Sequence, residues 1–126
     1  APAVPGADDV ARVAERVAGQ VGARDLGTLR GLLDAWPGPH GAAELLQVVE
    51  RERDLTVTSF TAGEARVAEG AVTVPLQVAL KWRRGGLVRV VGVKTDQSTA
   101  RLEARLAREG GRWEVTGLRL ASPFRK

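Results

Sequence analysis

The sequence predicts an α+β domain in which three N-terminal helices pack on a curved antiparallel sheet of four to six strands. Three observations carry that expectation. The apolar residues repeat with a helical period up to about residue 54 and with a period of two beyond it. Two glycine pairs, Gly85-Gly86 and Gly110-Gly111, separate alternating stretches and suit the positive φ angles of two-residue hairpin turns. The chain is 126 residues long, which fits one domain able to bury roughly two-thirds of its unfolded surface.

Residues 1–7 are small and proline-rich and read as a linker or a processed terminus. The domain itself is expected over 8–121, with 122–126 as a C-terminal tail. Asp8 or Asp9 is the expected N-cap of the first helix, because a carboxylate accepts from orphan backbone N–H groups. Val10, Val13, Ala14, Val17 and Val21 then follow a helical period, and Gly22 is the expected stop. A second helix begins near Asp25, places Leu26, Leu29, Leu33 and Trp36 on one face, and ends at Pro37. Gly27 and Gly31 weaken it by about 1 kcal/mol each, so tertiary packing has to hold it. After the loop Pro37-Gly38-Pro39-His40-Gly41, a third helix offers Leu45, Val48 and Val49.

Leu55–Thr58 is a short strand and Glu64–Glu69 a second. Val72, Val74, Leu76, Val78, Leu80 and Trp82 alternate with polar or small neighbours, the pattern of a half-buried antiparallel strand. Pro75 donates no ladder hydrogen bond, which predicts an edge or a bulge there. A turn at Gly85-Gly86 leads into a strand over 87–94, setting Val78 against Val93, Leu80 against Val91 and Trp82 against Arg89. Residues 99–109 are strong helix formers that also alternate; strand is the reading adopted, because Gly110-Gly111 and Trp113-Glu114-Val115 need a hairpin partner. That turn sets Leu106 against Val115 and Arg108 against Trp113. An extra residue at Gly117 then brings Ala104 to Leu118 and Leu102 to Leu120, as a β-bulge does.

Helices followed by a bent sheet and the closing run Gly110-Gly111-Arg112-Trp113-Glu114-Val115 resemble the nuclear-transport-factor-two-like superfamily. That superfamily is the cone shared with ketosteroid isomerase and polyketide cyclases. The run Ala23-Arg24-Asp25-Leu26, followed by Leu29, is similar to such domains appended to bacterial membrane signalling proteins. The resemblance covers 8–121. It implies a ligand-binding or protein-interaction domain, an accessory or sensory module of a larger bacterial protein, and homodimerisation through the sheet. It would place the domain outside the cytoplasm if a membrane anchor precedes it. Its alternative is a small pocket enzyme of isomerase, dehydratase or cyclase type.

Composition excludes much chemistry. No cysteine is present, which removes disulfides, thiolate metal sites and thiol nucleophiles. No Gly-x-Gly occurs, so no phosphate-cradling fingerprint exists, and no cofactor or metal site is expected. No stretch has the length of a bilayer-spanning helix. The net charge of +4 is divided unevenly: 1–54 carries six basic and nine acidic side chains, and 55–126 carries thirteen and six. The run Lys81-Trp82-Arg83-Arg84 invites a nucleic-acid reading, yet Lys81 and Arg83 alternate away from the Trp82 face, separating charge from stacking platform.

The acid–base candidates are Asp34 and His40, which flank the loop that would cover a cone mouth. The ligand-binding candidates are Trp36, Trp82, Arg89, Arg108 and Trp113. Arginines over indoles make cation–π contacts, and in a cavity such pairs favour an acidic ligand.

Overall fold

The helical half forms where its apolar period places it. The computed structural model describes residues 4–83 and 95–124, and its first helix, α1, spans Ala7–Gly22. Val10, Val13, Ala14, Val17, Ala18 and Val21 are its buried stripe. Its cap differs from expectation. Gly6 is the N-cap, and Asp9 sits in the first turn, where its carboxylate accepts from the Gly6 N–H at 3.1 Å. The acid satisfies an orphan donor from within the helix and complements the positive end of the dipole. Helix α2 spans Leu26–Ala35, with Asp25 as its N-cap accepting from the Thr28 N–H and hydroxyl at 3.3 and 2.8 Å. Pro37 ends it by holding Trp36 extended, at φ −66° and ψ 130°. Helix α3, Ala43–Arg51, buries Leu45, Val48 and Val49.

Five strands follow among the described residues: β1 (Arg53–Ala62), β2 (Arg66–Ala68), β3 (Ala71–Arg83), β4 (Thr95–Glu109) and β5 (Arg112–Leu120). They form one antiparallel sheet in the order β1-β3-β4-β5, and β2 also pairs with β3. The sheet is curved and unclosed, with the helices packed on it. The stretch 99–109 is strand throughout, as part of β4.

The register of β4 on β5 is the one the apolar pattern demands: Leu102↔Leu120, Ala104↔Leu118, Leu106↔Val115 and Arg108↔Trp113. The bulge lies one residue earlier than expected. Arg105 pairs with Gly117 and Leu106 with Val115, so Thr116 is the extra residue, and its hydroxyl donates to the Arg105 carbonyl at 3.2 Å.

The turn expected at Gly85-Gly86 lies outside the described residues, and the register gives the described β3 residues other neighbours than the expected ones. Val78 is flanked by Phe60 and Ala100, Leu80 by Val57 and Ser98, and Trp82 stands opposite Asp96. The described partners of Val78, Leu80 and Trp82 are thus β1 and β4 residues, with β3 running on to Arg83 and β4 beginning opposite it at Thr95. The strand proposed at 87–94 lies outside the described residues.

Pro75 is also placed differently, in the interior of the central strand. On one side it stands opposite Glu103 of β4. On the other side the ladder changes partner: β1 pairs as far as Leu76, and β2 starts at Thr73. The Pro75 carbonyl accepts from the Gly63 N–H at 2.8 Å in the gap between them. A residue's N–H and C=O point to the same side of a strand, so the missing donor faces a place where no ladder bond is required.

The core lies between helices and sheet. Even-numbered β3 residues from Val72 to Trp82 are all buried, with Trp82 only 1% exposed. They pack with Leu29, Leu33, Leu45, Val48, Val49, Leu102, Leu118 and Phe124. Each fully buried Leu or Val contributes about 1.5–3 kcal/mol of transfer free energy.

Candidate functional site

Trp82 and Trp113 are core residues, both inside the cluster that joins helices and sheet. Arg108 is exposed on β4 opposite Trp113, and Arg89 lies outside the described residues. Among the described residues the cation–π pair is Arg119 with Trp36, the guanidinium 4.9 Å from the ring centroid. Glu103 holds that guanidinium with bonds of 2.9 and 2.6 Å. Trp36 packs over Gly117, where a Cβ would stand 3.6 Å from the Trp36 backbone and ring, an ordinary van der Waals contact. The sequence pattern offered no means of pairing Trp36 with Arg119, since the contact depends on where α2 ends against β5.

Asp34 and His40 do come together, with Nε2 and Oδ1 3.9 Å apart. The Asp34 side chain is 78% exposed, however, and His40 Nδ1 accepts the Ala42 N–H at 3.0 Å. The His40 carbonyl also accepts from Leu120 N–H at 2.8 Å. The imidazole thus fastens the loop to the start of α3 and the backbone carbonyl fastens it to the end of β5, while Nε2 faces a solvated carboxylate.

A concave, mostly apolar surface lies elsewhere, between α1 and the edge strand β1. Among the described residues β1 pairs only with β3, and irregularities between Arg53 and Thr56 and between Val57 and Ser59 bend it. Phe60 stands opposite Val78, whose side chain points into the core, so Phe60 lies on the helix-facing side of the sheet. It nevertheless remains 41% exposed. The helix contributes to this: beside Val10, α1 presents Ala7, Ala11 and Ala14 here, whose single carbons are too short to cover a phenyl ring. The resulting cleft has a volume of about 650 Å³, and Val4, itself 49% exposed, lines its outer end. It continues past Phe60 into a second concavity of about 710 Å³ between Ala18, Gly19 and Gly22 of α1 and Leu55–Ser59 of β1.

The charges along this surface have one sign. Glu64 lines the first concavity and Glu15 the second, and neither is lined by a Lys or Arg. The cations of α1 point across the other flank: Arg16 bonds Glu114 of β5 at 2.7 Å, and Arg12 pairs with Asp9 at 3.4 Å. A furrow with an apolar floor and two carboxylates can accept an apolar body that carries positive charge. No group of three or more His, Cys, Asp or Glu placed to hold a metal occurs among the described residues.

Sequence reasoning missed this site. Its only signals were Phe60 following the first strand and the small residues on the α1 flank opposite the valines, and neither reveals that the two meet across an uncovered edge.

No family model matches the chain, and no curated protein matches it. Among solved structures it is similar to the intermembrane space region of the chloroplast protein ARC6. That match has 13% identity and a TM-score of 0.44, covering 90% of this chain and 91% of that one. It is also similar to a designed NTF2-like protein, Rd1NTF2_05 with substitutions, at 18% identity and a TM-score of 0.45, covering 92% of this chain and 100% of that one. Three helices on a curved, unclosed antiparallel sheet are consistent with a nuclear-transport-factor-two-like cone.

Proposed function

We propose that this domain is a binding module, an accessory unit of the protein-interaction kind, whose working surface is the cleft between α1 and β1. The observation that carries the reading is Phe60: a large aromatic side chain, 41% exposed, beside a concavity of about 650 Å³ with a mostly aliphatic lining. Exposed aromatics rimmed by polar residues are where partners bury area most favourably. Covering the part of the phenyl ring still exposed contributes about 1 kcal/mol to an encounter. Asp34 and His40 stand outside this cleft, so the reading assigns them a structural role in the loop between α2 and α3.

Titration with Nile red, a neutral apolar dye, tests it. The native domain shows saturable fluorescence enhancement, and Phe60→Ser weakens the apparent affinity about tenfold while circular dichroism stays unchanged. Equal dye binding by the native and Phe60→Ser domains would remove the cleft as the working surface.

A further inference from the structure

Resting on that reading, we infer that the occupant of the cleft is an amphipathic helix of a partner protein, with an apolar stripe of small and branched residues and basic residues along its flank. The dimensions come first. The two concavities share Phe60 and together touch α1 from Ala7 to Gly22. Sixteen helical residues span about 24 Å, the length of a docked helix of about four turns. Besides Val10 and Glu15, the side of α1 that lines the furrow carries only small residues, Ala7, Ala11, Ala14, Ala18, Gly19 and Gly22. Rows four residues apart with so little bulk let a second helix approach closely, ridge into groove.

The alternative occupant, a strand added to the β1 edge, is disfavoured by the edge itself. Pairing of β1 with β3 is uninterrupted only from Ser59 to Ala62, because the two irregularities break the rest. Bulges of this kind twist an edge away from further pairing. Four regular residues support far less of a ladder than α1 supports of a helix contact.

Charge selects the flank of the partner. Glu15 on α1 and Glu64 beyond β1 are the ionic groups lining the furrow, and Phe60 stands between them as the apolar anchor. A helix with leucines and alanines at i, i+3, i+4 and i+7 and lysines beside them matches both features, in the helix-in-groove mode of recognition.

The test uses the full chain and three labelled 16-residue peptides: a Leu/Ala-striped helix flanked by Lys, the same helix flanked by Glu, and the Lys version broken by two central prolines. Fluorescence anisotropy is expected to show the Lys-flanked helix binding at least tenfold more tightly than the other two. Amide shifts should concentrate at Ala11, Glu15, Phe60 and Glu64. The double variant Glu15→Lys, Glu64→Lys changes two exposed positions and should reverse the preference between the Lys and Glu peptides. Equal binding of all three peptides overturns the inference. So does tighter binding of the proline-broken peptide with new amide protection confined to Ser59–Ala62, which would assign a strand. Nile red bound normally with no peptide bound sinks the helix and leaves the cleft standing; loss of both sinks both.

Discussion

Gly63 shows how much a single absent carbon can decide. A Cβ built there would lie 2.6 Å from Pro75 Cγ, and the same residue's N–H bonds the Pro75 carbonyl at 2.8 Å. The pyrrolidine ring and the turning backbone therefore occupy the same few ångströms, and only glycine allows both. Gly63→Ala should destabilise the domain by about 1–3 kcal/mol through overpacking, read as a lowered midpoint in urea. An unchanged midpoint would mean that the proline moves aside at no cost. His40 is a second instance of local geometry setting a role. Its ring acceptor is committed to the Ala42 N–H, so its place in the sequence, beside two prolines and two glycines, describes a loop fastener better than a proton carrier.

Among the elements, the bulge in β5 does the most to hold the pattern together. Before Thr116 the core-facing positions are Trp113 and Val115; after it they are Leu118 and Leu120. Deleting Thr116 removes the phase change, so Leu118 and Leu120 turn to the outer face or the hairpin slips by one residue. The deletion variant is expected to lose cooperative thermal unfolding, and a sharp transition at the native temperature would contradict the register. This bulge was legible because two leucines broke an otherwise regular alternation. The pairing of β3 with β4 was not. Alternation says which face a residue takes but is silent on which strand lies beside it.

At the scale of the molecule, the division of charge follows the layers. The acidic excess belongs to the helical layer, including Glu15 in the furrow, while Lys81, Arg83 and Arg101 lie exposed on strands. Burial of Trp82 between them bears out the separation of charge from aromatic platform that the alternation implied. One contiguous core joins all three helices to the sheet, so helix and sheet should unfold together. Far-ultraviolet circular dichroism and tryptophan fluorescence, which report on helices and on Trp82 and Trp113, are expected to give superimposable urea transitions. Separate midpoints would show that the layers are independent. The layers and their faces were readable from periodicity alone; the furrow was not, because it arises where two layers meet and, among the described residues, no third element closes them.

The seam at Pro75 carries a consequence for the time the sheet spends open. β2 is held by three pairs to β3, and the ladder is interrupted between it and the end of β1. Opening β2 therefore breaks few bonds and leaves the β3–β4 ladder whole, so its amides exchange with solvent through a brief local excursion rather than by global unfolding. Among the described strands, β2 beside Glu64 is therefore expected to exchange its amides before the β3–β4 ladder does, so a partner arriving there would meet a margin that yields while the core behind it stays shut.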